Sequence, residues 1–146
     1  MLSYEDVLAA REHVEQVAVR TPVNYSHSFS ELTGAAINLK LENTQRTGAF
    51  KIRGAMNRIA ALTDEERERG VVTASAGNHA QGVALAATRA GVDSTIVMPK
   101  YAPVSKVEAT RRYGGEVVLH GIDYDEAQGH AHEIEREQDK VYVHAF

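Results

Sequence analysis

The sequence predicts an α/β fold, an open parallel sheet with flanking helices, and three observations predict it. Four short apolar runs, VVTA from Val71, STIVM from Ser94, EVVL from Glu116 and VYVH from Val141, begin at intervals of 23, 22 and 25 residues. Each interval holds one helix. The last carries Tyr124, Ala127, Ala131 and Ile134 at helical period, opposite the charge of EIEREQDK. A strand and a helix about every two dozen residues is the pattern of parallel strands joined by right-handed crossovers. The helix between the first two of these strands is rich in alanine (Ala80, Ala84, Ala86, Ala87, Ala90), and small side chains let a helix lie close to a sheet.

The elements follow in order. Ser3, with Asp6 three residues on, reads as a helix N-cap, and Val7, Ala10, Val14 and Val17 recur on one face, which predicts a helix to about residue 18. Thr21-Pro22 ends it, because the residue before proline is pushed to extended backbone. A short helix around Phe29–Thr33 and a turn at Gly34 precede INLKLE, whose alternating Ile37, Leu39 and Leu41 predict a half-buried strand. Ile52, Ala55, Met56 and Ile59 start a helix just after Gly48. TDEERERG at 63–70 opens like a capped short helix with a solvated face. MPKYAP at 98–103 is a loop, with Pro103 suited to the first turn of the next helix.

Composition narrows the function classes. Leu, Ile, Val and Phe make up 33 of the 146 residues, enough for a folded core. Sixteen basic residues against 20 acidic ones give a net charge of −4, so no basic excess exists to bind a phosphate backbone or an anionic membrane. No apolar run reaches the roughly 20 residues that span a bilayer, and the N-terminus lacks the basic and apolar regions of a signal peptide. The expected setting is cytoplasmic, with neither nucleic acid nor membrane as a partner. With no cysteine, thiolate chemistry and disulfides are excluded together, and Lys, His, Ser and the carboxylates must carry any chemistry.

Two segments stand out. In ENTQRTGAFKIRGAMNRI, Lys51 falls in the first turn of a helix, where the positive end of the helix dipole disfavours a cation. That placement suits an amine that works in neutral form as a nucleophile, and the plain alternative is a surface lysine. In TASAGNHAQGVALAA, a strand runs through a tight Ser75-Ala76-Gly77 turn into a helix that begins near Asn78. Backbone N–H groups there, with the Ser75 hydroxyl and the Asn78 amide, form an anion site at the carboxyl end of a strand. The alternative is that Ser75 and Asn78 only cap the helix and Gly77 only turns the chain. His79 is a candidate general base. His130 and His132, two apart on a helix, point in different directions, so no metal site is expected from them. The dinucleotide fingerprint and the P-loop are absent.

Together KLENTQRTGAFKIRGA at 40–55, SAGNHAQGVA at 75–84 and VMPKYAPVSKVEATRRYGGEVVLHG at 97–121 resemble the fold-type II pyridoxal-phosphate enzymes of the tryptophan-synthase β superfamily, in particular the threonine ammonia-lyase (threonine dehydratase) and serine racemase branch. The resemblance covers roughly residues 15–146. Cysteine synthase and threonine synthase differ from it, with Asp-Arg after the lysine and Asn-Thr in place of Asn78-His79. It implies that Lys51 carries pyridoxal 5'-phosphate as a Schiff base and later moves the substrate Cα proton. It also implies that Phe50 packs near the cofactor ring and that Asn78 hydrogen-bonds the cofactor's phenolic oxygen. Ser75, Ala76, Gly77, Asn78 and His79 would bind the substrate carboxylate. Ala49 departs from the serine that many relatives carry there.

The implied reaction is β-elimination and deamination of L-threonine to 2-oxobutanoate and ammonia. Serine racemase or serine dehydratase activity, with L-serine as substrate, shares these motifs, and a non-catalytic anion-binding α/β domain is the reading from another class. By the same resemblance residues 1–45 start a large domain whose remainder, with the phosphate-binding glycine loop, lies past residue 146. Residues 46–146 form the small lysine-bearing domain. The chain alone is then expected to be inert and to expose apolar side chains over residues 1–45, and the full protein is expected to be a homo-oligomer, as relatives commonly are.

Overall fold

A computed structural model describes residues 2–145. The first helix, α1 (Tyr4–Glu15), opens on the predicted capping box: the Ser3 hydroxyl accepts the Asp6 N–H, and the Asp6 carboxylate accepts the Ser3 N–H. It ends three residues short of the predicted boundary. The reason lies in tertiary contacts that take the backbone of residues 17–19. The Gln45 amide accepts the Val19 N–H and donates to the Val19 carbonyl, both at 2.8 Å, and Arg46 Nε donates to Val17 O at 2.7 Å. None of the α1 residues is buried, whereas Val17, just past the helix, is.

Residues 23–40 form a small unit of their own. Strand β1 (Val23–Tyr25) pairs antiparallel with β2 (Asn38–Lys40), and α2 (His27–Thr33) lies between them, closed by Gly34 in the left-handed conformation. The strand predicted at INLKLE is present, but it is not half-buried. All of β2 is exposed, and only Ile37 and Leu41 beyond its ends are partly covered. Period-two alternation names a face, and burial needs another layer to lie on that face.

The main sheet follows the predicted pattern. After α3 (Lys51–Ala60) and the capped α4 (Asp64–Arg69) come β3 (Val71–Ala74), α5 (Asn78–Ala90), β4 (Ser94–Met98), α6 (Val104–Arg112), β5 (Glu116–Leu119), α7 (Tyr124–Gln138) and β6 (Val141–Tyr142). Pro103 sits at the N-cap of α6, one residue before the predicted position. The four strands are parallel in the order β5-β4-β3-β6. Both faces are covered. Val71, Ile96 and Met98 pack with α3, α5 and α6 on one side, while Val72, Ala74 and Val97 meet Ala127, Ala131 and Ile134 of α7 on the other. The chain steps outward from β3 to β5, then returns through α7 to lay β6 on the opposite side of β3. That reversal opens a crevice at the carboxyl ends of β3 and β6, where open α/β sheets bind ligands.

Candidate active site

Lys51 is the first residue of α3. Gly48, at φ 69°, turns the chain into it with a Gly48 N–H bond to the Gln45 carbonyl, and the apolar face of Ile52, Ala55, Met56 and Ile59 pins the helix into the core. α3 lies against α5, and the two cross at the lysine itself. A Cβ on Gly82 of α5 would sit 3.2 Å from both the Ile52 nitrogen and the Lys51 carbonyl carbon, so any larger residue would press the α3 backbone back by a few tenths of an ångström. The Lys51 ammonium donates to the Ala145 carbonyl at 2.6 Å and lies 5.5 Å from the centre of the exposed Phe50 ring, within cation–π range. These groups border a cavity of about 460 Å³, whose lining includes Phe50, Lys51, His79, Tyr142, His144 and Ala145.

The second segment meets this cavity at one residue. β3 ends at Ala74, Ser75 receives the Gly77 N–H on its hydroxyl at 3.2 Å, and α5 begins at Asn78. Gly77 holds the N-cap position without a side-chain hydrogen bond, so no capping side chain covers the first N–H groups of α5. The capping alternative for Ser75 and Asn78 is therefore not what the backbone shows. Asn78 is exposed, its side-chain oxygen 3.4 Å from Lys106 Nζ.

His79 turns inward and is only 7% exposed, with Nε2 3.1 Å from the Val143 carbonyl. A carbonyl can only accept, so Nε2 carries the proton and Nδ1 is the free lone pair. Burial pushes the imidazole below its ordinary range, the charges of Lys51 and His144 act in the same direction, and the Val143 carbonyl opposes them. Burial thus favours the neutral imidazole.

Of the seven residues named from sequence, Phe50, Lys51 and His79 line one cavity. Ser75, Ala76, Gly77 and Asn78 stand on the turn leading into α5, outside that lining. His130 and His132 turn to different neighbours. His130 stacks on His120 and bonds Glu133, while His132 stacks on Tyr142 and bonds Glu135. Among the described residues no group of three or more His, Cys, Asp or Glu side chains is placed to hold a metal ion. Sequence reasoning missed Gly82 and the β6 wall. Gly82 left a signal, because a glycine inside an otherwise alanine-rich helix gives up about 1 kcal/mol for some packing reason.

The family model for pyridoxal-phosphate dependent enzymes matches residues 14–146. The chain belongs to that family. This pyridoxal-phosphate enzyme chain is 53% identical to the L-threonine ammonia-lyase of Thermotoga maritima over 146 residues, which is all of this chain and 36% of that protein. Among solved structures, the processed form of threonine deaminase isoform 2 from Solanum lycopersicum superposes with a TM-score of 0.87 at 39% identity, over 99% of this chain and 41% of that one. Maize serine racemase superposes with a TM-score of 0.90 at 39% identity, over 97% of this chain and 43% of that one. The chain thus spans less than half the length of each of these relatives.

The residues present fit the family's cofactor, pyridoxal 5'-phosphate. A primary amine that can condense with an aldehyde projects into a cavity within the size range of small-molecule sites, with an aromatic ring beside it. Among the described residues no helix is long and apolar enough to cross a membrane.

Proposed function

We propose that this chain carries the lysine side of the active site of a threonine ammonia-lyase, which converts L-threonine to 2-oxobutanoate and ammonia. The observation that carries the reading is Lys51 at the first position of α3, bordering the cavity between α3 and the chain that leaves β6. Lys51 is the residue we assign to hold the cofactor through Nζ. With substrate in place, its amine would take the proton from the substrate Cα. Bound pyridoxal phosphate supplies the electron sink for the pair left at that carbon. Phe50 would flank the cofactor ring, and Asn78 is the residue we assign to hold its phenolic oxygen. The turn from Ser75 to His79 receives the substrate carboxylate on backbone N–H groups at the positive end of α5, which orients the Cα–H bond toward Lys51. The β-hydroxyl would leave as water, taking up a proton that balances the one Lys51 has removed from Cα, and the released enamine hydrolyses to the oxo acid and ammonia.

In the full-length enzyme Lys51→Ala is expected to abolish the visible absorption of the lysine-bound cofactor and to lower 2-oxobutanoate formation at least about a hundredfold. Absorption unchanged in that variant would refute the assignment. Serine racemase or serine dehydratase chemistry is the second reading, favoured by the maize serine racemase superposition. Rates on L-threonine and L-serine measured side by side, with an assay for D-serine, separate the two.

The domain division is part of the same proposal: residues 1–45 belong to the large domain and 46–146 form the small one. Its support is the row of exposed apolar side chains in the first 45 residues, including Val7 at 60% and Leu32 at 81% exposure. We also infer a cytoplasmic, homo-oligomeric protein, tested by fractionation and by the solution mass of the full-length enzyme. The 146-residue chain alone is expected to show no turnover of threonine with added cofactor.

A further inference from the structure

The regular pairing of β6 with β3 ends at Tyr142, yet the chain runs on as a wall of the cavity. What holds it there is the Val143 carbonyl, which meets two buried donors: the Thr73 hydroxyl at 2.7 Å and His79 Nε2 at 3.1 Å. Thr73 and Val143 are each 1% exposed, so both bonds form out of contact with water. On the other side of the residue, the Val143 N–H donates to the Val72 carbonyl at 2.9 Å. Two residues on, the Ala145 carbonyl receives Lys51 Nζ. The imidazole thus links the start of α5 to the strand end that faces the lysine, and its protonated nitrogen is committed to that link.

We propose that His79 is a positioning residue: with Thr73 it anchors the Val143 carbonyl and so sets the 143–145 wall against which Lys51 rests. Its Nε2–H is taken by that bond and does not serve the substrate. The bearing on catalysis rests on Lys51 being the cofactor-bearing residue, whereas the anchor itself does not.

The test uses the full-length holoenzyme and reads amide hydrogen exchange at Val143, with the β4 amides as an internal control for global unfolding. His79→Leu is expected to speed exchange at Val143 about tenfold or more while the β4 amides hold. His79→Gln, whose amide nitrogen reaches the place of Nε2, is expected to restore protection to within about threefold, and His79→Asn, whose amide stands near Nδ1, is not. The visible absorption of the bound cofactor is expected to shift in the leucine variant and to return in the glutamine variant. Unchanged Val143 exchange in His79→Leu, or glutamine no better than leucine, overturns the proposal. If His79→Leu loosens the β4 amides as well, the glutamine and asparagine variants decide: Val143 protection kept by glutamine and lost in asparagine supports the anchor, and equal exchange in the two overturns it. Absorption retained in Lys51→Ala would instead defeat the cofactor assignment and leave the exchange result standing.

Discussion

Replacing Glu42 by glutamine perturbs the latch that ties the N-terminal 45 residues to the lysine-bearing helix. Both Glu42 oxygens engage Arg53, two residues past Lys51, at 2.8 and 3.0 Å, and one accepts the Thr21 hydroxyl at 2.6 Å. The Arg53 fork first, and the Thr21 hydroxyl after it, hold the carboxyl at about 2 against its usual 4.5, with burial opposing them. At about 1.4 kcal/mol per pH unit that difference corresponds to a ceiling of about 3 kcal/mol. The Arg53 side chain is 33% exposed and Glu42 17%, and solvent screening reduces the figure to about 1.5–2 kcal/mol.

The sign follows from linkage. The folded value is depressed, so the stabilisation is complete above the unfolded value of 4.5 and is lost as pH falls from there through about 2. The assay is urea unfolding of the native chain and Glu42→Gln from pH 7 to pH 3. The variant is expected to be less stable by about 1.5–2 kcal/mol at pH 7, and the gap should shrink to under half by about pH 3. A gap that stays constant across that range would refute the reasoning.

Gly82→Ala places a methyl group against the Lys51 and Ile52 backbone and is expected to cost about 1–3 kcal/mol in urea unfolding and to weaken cofactor retention in the full-length enzyme. A variant as stable and as well loaded as the parent would show that α3 and α5 do not need that approach. Gly70→Ala meets both a φ of 78° and the Asp93 carbonyl 2.8 Å from the new Cβ, so its thermal midpoint should fall by several degrees; an unchanged midpoint counts against the geometry. Exposed Leu2, Val7, Val23, Tyr25 and Leu32 should make the 146-residue chain bind an apolar fluorescent dye more strongly than the full-length enzyme does. Equal binding by the two would argue against residues 1–45 joining a larger domain.

The sequence by itself determined the parallel sheet, the capped α1 and α4 and the position of Lys51 at a helix start, because each is written in nearby residues. Strand spacing, apolar period and capping pairs act within about two dozen positions, and the structure follows them to within a few residues. Where tertiary contacts compete, the local reading gives way. α1 stops early because Gln45 and Arg46 take the backbone beyond it, and β2 stays exposed because no layer covers it. The site also depends on distant partners. Lys51 meets Ala145 and His79 meets Val143 only because the sheet reverses and lays β6 beside β3. No local pattern chooses the side on which the fourth strand lands. That choice belongs to the packing of α7 against the second face of the sheet, and it gives the lysine its wall.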